Sequence, residues 1–181
     1  AVSNSTFTDS DIALAGCNQG RLDPISNVSI SDDKASRVTY GVLFSTNSDP
    51  GSYLNLLSAS FDIGPEDIPF AFTLNNFEDT NPSTVSNVTY ANGETGYGVT
   101  LRGDARGIST TLSDLGLGTT YRLYDQHAYV SAGGALTIPS GVTLEGNPSQ
   151  SRVLYVRDSG TTATLPPGTA VQDLTLQARD G

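Results

Sequence analysis

The apolar residues of this chain recur at every second position. Val38, Tyr40, Val42 and Phe44 alternate with Thr39 and Gly41, Ile68, Phe70, Phe72 and Leu74 with Pro69, Ala71 and Thr73, and Tyr97, Val99 and Leu101 with Gly98 and Thr100. A period of two puts one set of side chains on a single face of a pleated strand, so each run predicts a half-buried β-strand. From Tyr53 to Ile63 the phase changes: Leu54 and Leu56 share one parity, while Leu57, Ala59, Phe61 and Ile63 share the other. A β-bulge near Leu56 and Leu57 would restore one buried face, and burial on both faces is the alternative. Turn residues separate the runs at Asn47-Ser48-Asp49-Pro50-Gly51, Asn92-Gly93 and Gly103-Asp104. Glycine and proline recur too often for long helices, and Pro65–Ile68 and Ser113–Gly116 suit a single turn at most.

Strands at this spacing predict an all-β chain. The expected architecture is a single antiparallel β-sandwich of jelly-roll or immunoglobulin-like type over residues 18–181, preceded by an extended arm at 1–17. In the arm, a polar stretch leads into Ile12 and Leu14, apolar teeth suited to a neighbour's sheet edge. Residues 131–181 read as a β-hairpin unit that could stand apart. There, Leu136-Thr137-Ile138-Pro139-Ser140-Gly141-Val142-Thr143-Leu144 places two short strands around a Pro-x-Gly turn, and Thr164-Leu165-Pro166-Pro167-Gly168-Thr169-Ala170-Val171 repeats the idea. The pattern resembles a coil of a right-handed parallel β-helix, as in pectin-lyase-like proteins. That resemblance implies a C-terminal part that begins a β-helix. Two copies cannot build a stable solenoid, and hairpins of a sandwich explain them equally well, which favours the sandwich.

Composition narrows the function. Of 181 residues, 42 are serine or threonine, and the formal net charge is −10 with nine lysines and arginines. No basic stretch is present to neutralise a phosphate backbone, so nucleic acid is an unfavourable partner, as is an anionic membrane surface. No apolar run reaches the ~20 residues needed for a spanning helix. Methionine is absent and Ala1 comes first, as expected of an exported chain after signal-peptide removal. The expected location is therefore extracellular or at the cell surface.

Chemically active residue types are scarce. His127 is the only histidine and Cys17 the only cysteine, so a zinc site of nitrogen and sulfur ligands cannot be assembled, and no Gly-x-Ser-x-Gly elbow frames a serine nucleophile. No enzyme activity and no obligatory cofactor are expected. Calcium takes oxygen ligands, and Asp62, Glu66 and Asp67 form the first cluster to consider for it. Asn4, Asn27 and Asn87 head glycosylation sequons, at a number close to chance for so much Ser and Thr. Arg102-Gly103-Asp104, a tripeptide of integrin ligands, is expected on a turn. The eight tyrosines are candidate sugar platforms, several of them half-buried. The function expected first is a structural subunit that self-assembles into a filament, tube or surface layer by strand donation between copies. The alternatives are a carbohydrate-binding or adhesive module of a larger exported protein, and a fragment of a β-helix polysaccharide-active or viral appendage protein.

Overall fold

The computed structural model describes residues 1–16, 20–31, 40–44, 51–64, 67–80, 82–91, 99–112, 115–123 and 127–179. Strands dominate: β1 (Val2–Thr8), β2 (Ile12–Gly16), β3 (Arg21–Ser31), β4 (Tyr40–Phe44), β5 (Tyr53–Leu56), β6 (Ala59–Asp62), β7 (Ile68–Thr73), β8 (Thr84–Val85), β9 (Val88–Tyr90) and β10 (Val99–Arg106). They continue with β11 (Ser109–Thr111), β12 (Thr120–Leu123), β13 (Ala128–Ser131), β14 (Ala135–Thr137), β15 (Thr143–Gly146), β16 (Arg152–Arg157), β17 (Thr162–Thr164), β18 (Ala170–Gln172) and β19 (Leu174–Arg179). A 3-10 turn, Leu74–Phe77, interrupts them.

Every pairing between these strands is parallel, and the chain winds as a β-solenoid of about 5 turns. This corrects the antiparallel sandwich expected from the sequence; the β-helix alternative raised by the Pro-x-Gly segments is the one that fits. The physical reason is plain. Alternation reports which side chains face inward, but it is silent on whether the next strand runs parallel or antiparallel. The turn residues read as hairpins are corners: Gly141 and Gly168 take φ of 81° and 92°, and the chain moves on around the coil, with Ala170 donating to the Val142 carbonyl one turn earlier.

Among the described residues the strands form three sheets. The N-terminal sheet stacks β1, β3, β5 with β6, and β8 with β9. The central ladder runs β2-β4-β7-β10-β12-β15-β18 and shares β10 with a C-terminal ladder, β10-β13-β16-β19. A small sheet stacks β11, β14 and β17. Strands β14 to β19 thus extend the same winding. At the N-terminal stretch β1 pairs with β3 and β2 with β4, Leu14 is buried and Ile12 remains 44% exposed.

The interior is a column of stacked apolar rows. Phe44, Phe72, Phe77 and Tyr121 contact edge to face in sequence, with ring centroids 5.7, 5.7 and 5.8 Å apart, a geometry favoured by the ring quadrupole. The 3-10 turn inserts Phe77 into this row, and the Asn76 side chain holds it there by accepting from Thr73 N–H and donating to the Ser52 carbonyl. Gly16 leaves room for the Phe44 ring, which a Cβ would meet at 2.6 Å. The phase change at Tyr53–Ile63 is a break between β5 and β6. Leu56 and Ala59 both face inward, and Leu57 is left 45% exposed between them. One buried face is kept, as the bulge reading required.

Candidate functional site

Two regions concentrate polar chemistry. The first is the bend of the N-terminal sheet. In register, Asn4 lies beside Asn27, Asn27 beside Ser58, and Ser58 beside Asn87. The three asparagines take φ of 50°, 52° and 51°, the left-handed region that asparagine tolerates better than other residues with a Cβ. Asn4 and Asn27 kink β1 and β3, Asn87 turns the chain between β8 and β9, and the side chains tie the coils together. Asn27 Nδ2 donates to Asn4 Oδ1 at 3.2 Å, Ser58 Oγ donates to Asn27 Oδ1 at 3.0 Å, and Asn87 Nδ2 donates to the Leu57 carbonyl at 3.0 Å. All three sequons therefore sit at one repeated bend. The amide nitrogen that a glycan on Asn27 or Asn87 would require already has a protein partner. Beside the bend runs a groove of about 270 Å³ lined by Asn27, Ser29, Ser58, Ser60, Asn87 and Thr89.

Further along the same sheet, Asp23 accepts from Asn55 Nδ2 at 2.7 Å and from the Tyr53 hydroxyl at 2.9 Å, and Thr84 continues the row through Asn55. The Asn55 amide first and the Tyr53 hydroxyl second hold the Asp23 carboxyl below its ordinary pKa, because both favour the charged form. The same bond to Asp23 raises the Tyr53 phenol.

The second region is the outer face of the C-terminal ladder. Strand register sets Asp104, Tyr129, Tyr155 and Gln177 in one column. Tyr129 and Tyr155 stack at 5.0 Å with their planes 9° apart, and the Arg157 guanidinium lies 4.6 Å from the Tyr129 centroid. His127 meets the edge of Tyr155 at 5.6 Å and accepts at Nδ1 from the Val153 N–H at 3.1 Å. Ser131 Oγ donates to both Asp104 oxygens, at 2.9 and 2.8 Å, and Arg157 reaches the same carboxylate at 3.4 Å. The half-exposed residues form one connected cluster of aromatic, cationic and hydrogen-bonding groups. The backbone ladder fixes their spacing, since neighbouring strands lie about 4.8 Å apart.

The other sequence candidates are placed as follows. Asp62 is exposed on β6, Asp67 Oδ2 accepts from the Gly64 N–H at 2.7 Å, and Glu66 lies outside the described residues. Among the described residues, no three His, Cys, Asp or Glu side chains gather to hold a metal ion. Cys17, the turns at Asn47–Pro50 and Asn92-Gly93, and Ser113-Asp114 also lie outside the described residues. Arg102-Gly103-Asp104 is not on a turn. It lies within β10, with Arg102 buried and 5.8 Å from the Tyr40 ring, and Gly103 at φ 76° bending the strand from the central to the C-terminal ladder.

Sequence reasoning missed the asparagine row and the tyrosine stack. The first had a signal in the Ser-Asn dipeptides Ser3-Asn4, Ser26-Asn27 and Ser86-Asn87, each followed by Ser or Thr at the second position on. The second had none, because only the coil register brings Tyr129 and Tyr155 together. No protein-family model, no curated protein and no solved structure matches the chain.

Proposed function

We propose that this chain is a rigid, rod-like adhesive module that works outside the cell and holds carbohydrate on its C-terminal ladder. The observation that carries the reading is the stacked Tyr129–Tyr155 pair with Arg157 against it. Aromatic surface ringed by a few polar groups is the usual composition of a sugar-binding surface, with the rings taking up apolar C–H faces. Parallel pairing on both sides holds β13 and β16 in place, so little ordering cost accompanies binding. The net charge of −10 supports the exclusion of nucleic acid from the partners. Saturation-transfer NMR of the purified chain against a panel of oligosaccharides tests the reading. A Tyr129→Ala/Tyr155→Ala double variant with unchanged circular dichroism is expected to lose the transfer. A wild-type chain with no consistent sugar preference would overturn the proposal.

A further inference from the structure

We propose that the C-terminal ladder selects an anionic glycan, a sugar chain bearing carboxylate or sulfate groups, through arginines placed beside the tyrosine stack. The inference rests on the carbohydrate reading above and narrows it by charge. The ladder segments Gly103–Arg106, Ala128–Ser131, Arg152–Arg157 and Leu174–Arg179 contain Arg106, Arg152, Arg157 and Arg179 but only one acid, Asp104. The rest of the chain is left with five of the nine cations and eighteen of the nineteen acids. Arg152 shares the strand parity of buried Leu154, so the arginines in register with the tyrosine face are Arg106, Arg157 and position 179.

The register makes these positions a column. Arg106 pairs with Ser131, the step beyond Val130↔Val156 brings Ser131 beside Arg157, and Arg157 pairs with position 179. Arg106 and Arg157 are two coils apart, about 10 Å at the usual strand spacing. Arg106 is exposed, and the Arg157 side chain is 42% exposed. Asp104, the one acid within those strand segments, is already engaged, since both its oxygens accept from Ser131, and Asp158, the residue after Arg157, accepts from the Ala132 N–H. The contact from Arg157 to that carboxylate is long and uses one nitrogen of a guanidinium that offers five N–H donors. Its planar fork matches carboxylate and sulfate oxygens, and its position against Tyr129 sets the charge next to the surface that would take a sugar ring. A single sugar chain needs only this column. A polyanion with a wide footprint, such as nucleic acid, would also meet the surrounding acids.

The purified chain is titrated calorimetrically with heparin (sulfate-bearing), alginate (carboxylate-bearing), dextran (neutral) and single-stranded DNA. Binding to heparin, alginate or both is expected, weakening as salt rises from about 50 to 500 mM, with the preferred polymer naming the acidic group. Arg157→Gln should lower the affinity roughly tenfold, and so should Arg106→Gln, whose exposed side chain leaves folding untouched. Arg21→Gln, on the N-terminal sheet, should change nothing. Binding of dextran alone, or anionic binding indifferent to Arg106→Gln and Arg157→Gln, would overturn this inference and leave the carbohydrate reading standing. No binding of any glycan would overturn both. Tighter binding of DNA than of either acidic glycan would overturn the assignment of the ligand class.

Discussion

Replacing Asn27 tests whether the bend of the N-terminal sheet depends on a left-handed residue. Asn27 sits at φ 52°, donates to Asn4 and accepts from Ser58. In Asn27→Ala the Cβ must enter the left-handed region without the local hydrogen bonding that compensates asparagine, which costs about 1–2 kcal/mol. Both side-chain hydrogen bonds are also lost. They are exposed, so each contributes near the low end of the usual range, about 0.5 kcal/mol. The sum for Asn27→Ala is about 2–3 kcal/mol. Asn27→Gly loses the same two bonds but fits the backbone freely, so its cost stays near 1 kcal/mol, with a few tenths added from the more flexible unfolded chain. Urea unfolding read by far-UV circular dichroism and by tyrosine fluorescence measures both variants, and coincident transitions license the free-energy comparison. The decisive quantity is the difference, alanine worse than glycine by about 1–2 kcal/mol. Equal destabilisation by the two would show that the backbone does not need the left-handed residue and would refute the account of the asparagine row.

Other expectations follow from the same geometry. Gly146→Ala should destabilise the coil of β15 by about 1–3 kcal/mol, because a Cβ there would collide with the Asp173 carbonyl; an unchanged melting temperature would contradict the close approach. Phe77→Ala removes one ring of the axial row and should cost about 3–5 kcal/mol by urea titration. The Asp23 carboxyl should titrate below the ordinary value of about 3.9 in NMR, so its contribution is present above that value and lost as pH falls through the lowered one. The raised Tyr53 phenol has the opposite sign: its contribution holds below the ordinary phenol value of about 10 and is lost as pH rises through the raised one; an unshifted Asp23 would contradict both. Integrin-bearing cells should not attach through Arg102-Gly103-Asp104, since Arg102 is buried and Asp104 is held by Ser131; attachment blocked by a soluble peptide of that sequence would contradict this.

The inward rows were legible before the architecture was. Val42, Phe44, Phe70, Phe72, Val99 and Leu101 all face the core as their alternation required. Strand direction was not legible, because a period of two is common to both kinds of sheet. The coil length hid the repeat as well. Asn27 lies 23 residues after Asn4 and 31 before Ser58, while Val99 meets Tyr121 only 22 residues on. A winding whose corners absorb such differences shows no fixed period, so the 27-residue step between the two Pro-x-Gly segments looked like an isolated pair. What recurs at three of the four positions in the bend row is local chemistry, Ser-Asn with a hydroxyl-bearing residue two positions on, where the asparagine takes a positive φ; the fourth position, Ser58, follows Leu57 and does not.

The same contrast separates the two polar regions. The asparagine bend is a local solution to a local problem: asparagine takes the left-handed conformation at three of the four positions in the row, so its signature survives in the sequence as a short motif, and three glycosylation sequons are its by-product. The face of Asp104, Tyr129, Tyr155 and Arg157 is set by pairings 25 and 26 residues apart, and no short motif can encode it. Charge makes the distinction sharper. Four arginines spread over 74 positions look like background in a chain of net charge −10, yet the winding assigns them to strands of one ladder. Structural necessity in a solenoid is therefore written along the chain, while a recognition surface is written across the coils. The sequence pattern could expose the first without the register, and the second only with it.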